Sequence, residues 1–485
     1  MLAQPAVWSA AAPAPLPARP NIVFILTDDL DTRSVAYMPL LGSLLIERGV
    51  TFTQFFVTYA LCCPSRSTIL TGQYVHNHRV LTNTRPNGGY PRFLEQGHER
   101  STVGTWLQAA GYRTAFLGKY LNGYPLRGQQ THVPPGWDEW NSPAGGTPYA
   151  NFNFRMNENG RIVPYGRAPE DSMTDLLARK AIAFIRQAAA AGRPFFVHLS
   201  TYAPHAPATP APRHEDAFSG VAAPRSPAFN EADTSDKPAW LRSRAPLSPR
   251  QTSDIDEHFR VRLQSLLAVD EMIAALVDVL AATGQLSRTY IFFTSDNGWH
   301  LGEHRIAAGK NTPYEESIRV PHVVRGLAVP EGRTLALLAC NNDLAPTFAQ
   351  IAGVPIPERV DGRSLVPLLG AAPPAPEAWR QAIAIEHYRE QPDGLPQAAP
   401  ERSPGGRGIP EFHGVRGRDL VYVEYATGER ELYDLARDPY QMESIHATEI
   451  GVLGPLSARL AALKRCSGAS CRLAEDAPLP TLTGR

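Results

Sequence analysis

The chain has 485 residues, 43% of them hydrophobic, which is long and apolar enough for one large core with an annex. Its 38 Gly and 45 Pro stay below the roughly 25–30% share that marks low-complexity chains, so wholesale disorder is excluded. The 47 Lys and Arg balance 47 Asp and Glu, which leaves no global basic field to hold nucleic acid or an anionic membrane; any anion site must be local.

Residues 1–19 are Ala/Pro-rich with no Lys or Arg before Arg19, and read as a disordered leader or a trimmed signal remnant. No apolar stretch approaches the roughly 18 residues of a membrane span. From Pro20 onward, short β-branched and aromatic runs alternate with polar turns and helical stretches, the pattern of βα units around a largely parallel sheet. Four runs matter: Asn21–Thr27, which leads to Asp28 and Asp29; residues 113–117, which lead to Gly118 and Lys119; residues 194–199, which lead to His205; and residues 290–294, which lead to Asp296 and Asn297. Ligands of open α/β sheets bind beyond the carboxyl ends of the strands, so these polar residues are expected to converge.

Helices are expected over residues 173–191, capped by Ser172 with Leu177, Ala181, Phe184 and Ile185 inward, and over 256–282, with Leu263, Leu266, Leu267, Ile273, Leu276 and Leu280 on one side. Residues 206–250 are Pro-rich and aperiodic, and read as a substrate-facing rim. The composition shifts at 370–377 (GAAPPAPE). The expected fold is α/β: a large, mostly parallel but mixed sheet flanked by helices over 20–372, followed by a smaller C-terminal α+β domain over 373–485. That domain carries strands at 382–386, Leu420–Tyr425 and 431–434 and a helix at 450–464. Cys466 and Cys471 are close enough to bridge, which favours an oxidising compartment.

The richest segment is residues 62–72, CCPSRSTILTG. Pro64 suits the first helical position, which puts Cys62 and Cys63 at a helix N-terminus, where free N–H groups and the dipole attract an anion, and Arg66 adds a positive fork. Adjacent cysteines cannot form the spaced chelate of structural zinc. A thiol-phosphatase loop needs more than the three residues that separate Cys62 from Arg66.

Cys62, Pro64, Ser65 and Arg66, followed by Leu70, Thr71 and Gly72, resemble the sulfatase signature without a departure. The resemblance runs from Pro20 to about Pro439, through PNIVFILTDDLD, TSDNGWHLGEH with Lys310, DLAPTFAQIAGV, DGRSL and ELYDLARDPYQMES. The CCPSR form, GKYLN at 118–122 and APHAP at 203–207 look most like glucosamine-6-sulfatases and extracellular heparan-sulfate sulfatases. The resemblance implies a sulfuric ester hydrolase that releases sulfate from a sulfated saccharide, such as a 6-O-sulfated N-acetylglucosamine unit. It implies that Cys62 is oxidised to formylglycine by a formylglycine-generating enzyme, with Cys63 a bystander, and that the protein is secreted or periplasmic.

Asp28, Asp29, Asp296 and Asn297 offer only oxygen ligands, which suits Ca²⁺ or Mg²⁺ and disfavours zinc or copper. Taken singly, Asp-Asp reads as a helix cap and SDNG as a turn. By resemblance they hold Ca²⁺ in preference to Mg²⁺, with Cys62 against it. Arg66, Lys119 and Lys310 would bind the sulfate, and His205 would contact it or protonate the leaving oxygen. A hydrated aldehyde has one hydroxyl to attack sulfur and a second to expel sulfate as the carbonyl re-forms. One position departs from the family: a histidine common two residues after the first lysine is Leu121 here, leaving Asn122, His300 or His304 as candidates for that base. Two alternatives stand beside this reading, a phosphonate or phosphate monoester hydrolase of the same superfamily and a non-catalytic Ca²⁺-dependent glycan-binding protein.

Overall fold

The computed structural model describes residues 19–389 and 408–483; positions 1–18 of the expected leader lie outside them. Strands run in chain order as β1 (Asn21–Thr27), β2 (Val50–Phe52), β3 (Phe55–Phe56), β4 (Arg113–Gly118), β5 (Glu139–Gly146), β6 (Phe154–Glu158), β7 (Arg161–Tyr165) and β8 (Phe195–Ser200). They continue as β9 (Thr289–Ser295), β10 (His322–Arg325), β11 (Arg333–Leu335) and β12 (Ala339–Cys340), then β13 (Ala382–His387), β14 (Phe412–Gly417), β15 (Leu420–Tyr425) and β16 (Arg430–Asp434). Ten of them form one sheet in the order β11-β2-β10-β9-β1-β8-β4-β5-β6-β7. The central run β9, β1, β8, β4 and β5 is parallel, and antiparallel neighbours flank it on both sides, so the sheet is mixed as expected.

Strand β1 is buried along its whole length, and its side chains divide by parity. Ile22, Phe24 and Leu26 enter one core, while Val23 and Ile25 enter the other with the helices Met173–Ala190 and Pro249–Ala282. The first helix buries Leu177, Ala181, Phe184 and Ile185, but Ser172 makes no side-chain cap bond. The second starts seven residues before the expected 256, because Ser248 and Gln251 form a capping box with Pro249 at the first position; Leu267 is only half-buried.

A four-stranded antiparallel sheet, β13-β14-β15-β16, follows. One face (Ile383, Ile385, Val421, Val423) joins the core shared with the large sheet, and the other (Ala384, Val415, Tyr422, Leu432) packs on the helix Ile450–Leu463. Sequence reading missed β14, whose FHGVRG run has two glycines and no apolar alternation. Cys466 and Cys471 are joined in a disulfide. Among the described residues, no helix is long and apolar enough to cross a membrane.

Three buried histidines sit among rings: His198 between Phe24 and Phe116 (centroids 4.8 and 4.7 Å), His322 stacked on Phe55 (4.0 Å), and His387 on Phe412 (5.3 Å). Burial pushes each from 6.5 down to about 3, so each stays neutral in the fold while the unfolded chain takes up a proton below 6.5. The stability this supplies is full above that value and is lost as pH falls toward 3. Melting temperature should therefore fall from about pH 7 to about pH 4. His198→Leu and His322→Leu should each flatten the slope by about one proton, and an unchanged slope would show the rings already charged.

Candidate active site

The register of the parallel strands sets the site. Thr27 pairs with Ser295, Leu26 with Ser200, and Gly118 with Ser200, so four chains leave the sheet side by side. The residues just beyond them are Asp28, Asp296, Thr201 and Lys119. Gly118 is required here: its φ is 105°, and a Cβ on it would lie 1.8 Å from the Ser200 carbonyl oxygen. Asp29 holds φ 65° without being glycine, a conformation that costs on the order of 1–3 kcal/mol. Its N–H donates to Asp296 Oδ1 (3.1 Å) and its carbonyl accepts from Arg262 Nη2 (2.5 Å), which fixes that turn from both sides.

Facing these strand ends is the helix Cys62–Thr71, every residue of which is buried. It begins at Cys62 with Leu61 as its cap, so Pro64 is third in the helix rather than first, where its missing N–H still costs nothing. Cys62 Sγ lies 2.9 Å from Lys310 Nζ and 3.5 Å from Asp28 Oδ1. Cys63 turns away into the hydrophobic core.

Three carboxylates meet three cations. Lys119 Nζ pairs with Asp28 at 2.5 Å, Lys310 Nζ pairs with Asp29, and Arg66 Nε donates to Asp296 Oδ2 at 2.8 Å. All six side chains are at most 3% exposed. Burial alone would raise the Asp28 carboxyl, but Lys119, with His205 and Arg66, holds it at about 2. Burial likewise works against charge on Asp29, and Lys310 overrides it to keep that carboxyl below its ordinary value. Burial would lower both lysines, and their aspartates instead raise them. For the Cys62 thiol, burial outweighs the lysines and pushes it far above its ordinary value, so the unmodified side chain stays a thiol.

Asp28, Asp29, Cys62 and His205 each place a donor atom within 4.8 Å of the others. His205 Nε2 is 3.6 Å from Asp29 Oδ2, and its Nδ1 is anchored on the Ala206 carbonyl at 2.7 Å. Asp296 is outside that group, its two oxygens taken by the Asp29 N–H and Arg66. Asn297 Nδ2 donates to Asp29 Oδ1 at 2.6 Å. Asp29 Oδ2 and Asn297 Oδ1 are buried acceptors without a hydrogen-bond donor, a surplus of oxygen lone pairs that suits a hard cation.

Leu121 belongs to the hydrophobic core. His300 bonds Thr312 and His304 bonds Glu231, so neither reaches the cluster through those contacts. Residues 206–250 divide: Ala206 and Pro207 line a cavity beside Lys119, while Glu231 and Lys237 are buried against His304 and the Gln441 carbonyl. Sequence reading missed Ser200, whose hydroxyl accepts from Arg66 Nη1 at 2.5 Å. It also missed Tyr149 and Tyr202, whose rings lie 5.0 and 5.9 Å from Lys119 Nζ, and the fully buried Arg262. Arg262 had a signal, a charge inside the apolar stripe of its helix; Tyr149 had none.

Residues 20–354 match the sulfatase family model, and residues 302–464 match that of the N-sulphoglucosamine sulphohydrolase C-terminal region. Human N-acetylglucosamine-6-sulfatase is 36% identical over 481 residues, 94% of this chain and 86% of that one. A Caenorhabditis elegans Sulf-1 homolog is 41% identical over 377 residues, 76% of this chain, and this chain spans about half (52%) of that protein's length. A solved structure of a protein in complex with its substrate D-glucosamine-2-N,6-O-disulfate superposes with a TM-score of 0.76 at 25% identity, over 92% of this chain and 97% of that one. With a signature helix, paired strand-end aspartates and a match covering most of its length, this chain belongs to the sulfatase family of sulfuric ester hydrolases.

Proposed function

We infer that the protein removes sulfate from a sugar, a 6-O-sulfated N-acetylglucosamine or related glycosaminoglycan unit, using Cys62 converted to formylglycine and a Ca²⁺ ion. The observation that carries this reading is the placement of Cys62. Its Sγ stands at a helix entrance between Lys310 and the Asp28 carboxylate, while burial keeps the thiol protonated and therefore a poor nucleophile as it stands. The human relative's name supports an N-acetylated sugar, and the neighbour's substrate, a glucosamine with sulfate on both N2 and O6, supports a 6-O-sulfated glucosamine more broadly.

Asp28, Asp29, Asp296 and Asn297 would hold the ion, with the unpartnered Asp29 Oδ2 and Asn297 Oδ1 as its readiest ligands. The ion would supply Lewis acidity toward a sulfate oxygen, and the formylglycine hydrate a nucleophilic hydroxyl on a carbon able to re-form its carbonyl. The remaining work belongs to the chain. Arg66 is locked by Asp296, Ser200 and the Lys119 carbonyl, and its Nη2, which has no hydrogen bond and only a 3.8 Å ion pair with Asp28 Oδ1, would donate to a sulfate oxygen. Lys119 and Lys310, now paired with Asp28 and Asp29, would turn to the sulfate as the ion neutralises those carboxylates. His205, held at Nδ1, directs Nε2 at the cluster and would deliver the proton to the leaving oxygen. In this reading 20–372 is the catalytic unit and 373–485 braces it, and the 466–471 disulfide fits a secreted or periplasmic protein matured by a formylglycine-generating enzyme.

Turnover of an aryl sulfate, an aryl phosphate and N-acetylglucosamine 6-sulfate tests the reaction: sulfate release should dominate, and a faster phosphate rate would reassign the enzyme. Co-expressed with a formylglycine-generating enzyme, the peptide spanning Cys62 should lose sulfur and two hydrogens and gain oxygen by mass spectrometry. Cys62→Ala should then abolish turnover and Cys63→Ala should largely keep it; the opposite pattern would move the site to the neighbouring cysteine. Removing divalent ions with a chelator should abolish turnover, with Ca²⁺ restoring more than Mg²⁺, and activity that survives complete chelation would eliminate the ion.

A further inference from the structure

A cavity of about 850 Å³ opens beside Lys119, within the size range of small-ligand pockets. Its walls carry Tyr120, Tyr124, Tyr149, Tyr202, Pro143 and Pro207. Among the described residues that line it, Lys119 is the only charged one, and its ammonium is already matched by Asp28. The cavity is continuous with the charged cluster through Tyr149, whose ring lies 5.0 Å from Lys119 Nζ, 4.6 Å from the His205 ring and edge-on to Tyr202 at 4.9 Å. Asn122 also lines it. This side chain is 5% exposed, its Nδ2 donates to the Tyr149 hydroxyl at 3.4 Å, and its Oδ1 is a buried acceptor with no partner.

An unpartnered buried amide oxygen in an aromatic, otherwise uncharged wall calls for a ligand that brings one donor and no charge. We propose that this cavity seats the hexosamine ring of the substrate with its C2 substituent against Asn122, and that it selects an uncharged N-acyl group over an anionic N-sulfo group. The inference rests on the sulfatase reading above. The amide N–H of an N-acyl sugar would donate to Asn122 Oδ1, and its acyl carbons would lie against the tyrosine rings. An N-sulfo group also offers an N–H, but its sulfonate would lie against the tyrosine rings, because the one cation lining the cavity, Lys119, is turned to the ester sulfate in the reading above.

The test is the ratio of kcat/KM for N-acetylglucosamine 6-sulfate to that for N-sulfoglucosamine 6-sulfate, measured on the mature enzyme beside an aryl sulfate. The native ratio should be at least about tenfold in favour of the N-acetyl sugar. Asn122→Lys puts an ammonium on the wall and should shift the ratio toward the N-sulfo sugar by at least about tenfold. Thr147→Lys, on the exposed rim of the same cavity, should shift it the same way and covers the case in which the buried substitution does not fold. Aryl sulfate turnover with a native ratio near one, or reversed, overturns this assignment and leaves the reaction standing, as does an unchanged ratio in variants that melt like the native protein. No sulfate release from any ester overturns the reaction itself; the relative affinities of the two sugars, measured by calorimetry, then decide whether the cavity has the stated preference.

Discussion

The site depends on one electrostatic constraint: three carboxylates and three cations are withdrawn from water together, and none is tolerable without its partner. Removing one member of such a buried pair typically costs about 3–5 kcal/mol, because the other is left uncompensated. Asp28 with Lys119, Asp29 with Lys310, and Asp296 with Arg66 satisfy that requirement pairwise, and the pairs are cross-linked through Asp296 Oδ1 to the Asp29 N–H and Arg66 Nη1 to the Lys119 carbonyl. In the proposed reaction a divalent ion held by these carboxylates would change the partners rather than the balance, leaving the cations to face the sulfate.

Such matching demands that atoms far apart in sequence be placed to within a few tenths of an ångström, and the parallel sheet supplies the placement. The backbone strain at Asp29 is sustained by Arg262, which also bonds the Pro204 carbonyl and Asp31 and thereby ties the turn after β1 to the turn that carries His205. Behind the Cys62 helix, the C-terminal segment plays a similar part. Tyr74, two residues past that helix's glycine cap, bonds Glu475 through its hydroxyl and Asp361 through its N–H, and Glu475 is neutralised by Arg380 and Arg363. The C-terminal segment thus braces the far end of the helix whose entrance holds Cys62.

What the sequence made legible follows from this. Strand runs such as NIVFILT and FFVHL are apolar and fully buried, so local pattern and tertiary context agree, and the polar residues just past them had only one place to go. The Cys62 helix was legible as a motif while its start was not: a proline anywhere in the first turn costs the same, and only packing chose the third position. Ser200 was lost because it closes a strand and looks like the end of a hydrophobic run. β14 was lost because Gly414 answers closeness to Tyr422 and Ile385, and Gly417 closeness to Leu479, demands visible only once the neighbouring elements are in place. Tyr149 sits in a one-turn segment far from every motif, and nothing in its neighbourhood distinguishes it from an ordinary loop tyrosine.

In the proposed reaction the division of polarity around Lys119 would give the site two functions. On one side three carboxylates and three cations are matched in pairs, which suits a reacting group that is itself an anion and must be held against a developing charge. On the other side the surface is aromatic and nearly uncharged, which suits a sugar ring whose faces are apolar and whose edges donate and accept hydrogen bonds. Lys119 is the hinge between them: its stem follows Gly118 out of the sheet, its ammonium lies over the Tyr149 ring, and its charge belongs to Asp28. In the proposed reading a polyanionic glycan would be recognised at one ester at a time, because the cations that an ion releases from Asp28 and Asp29 all face the group to be cleaved and not the chain that carries it.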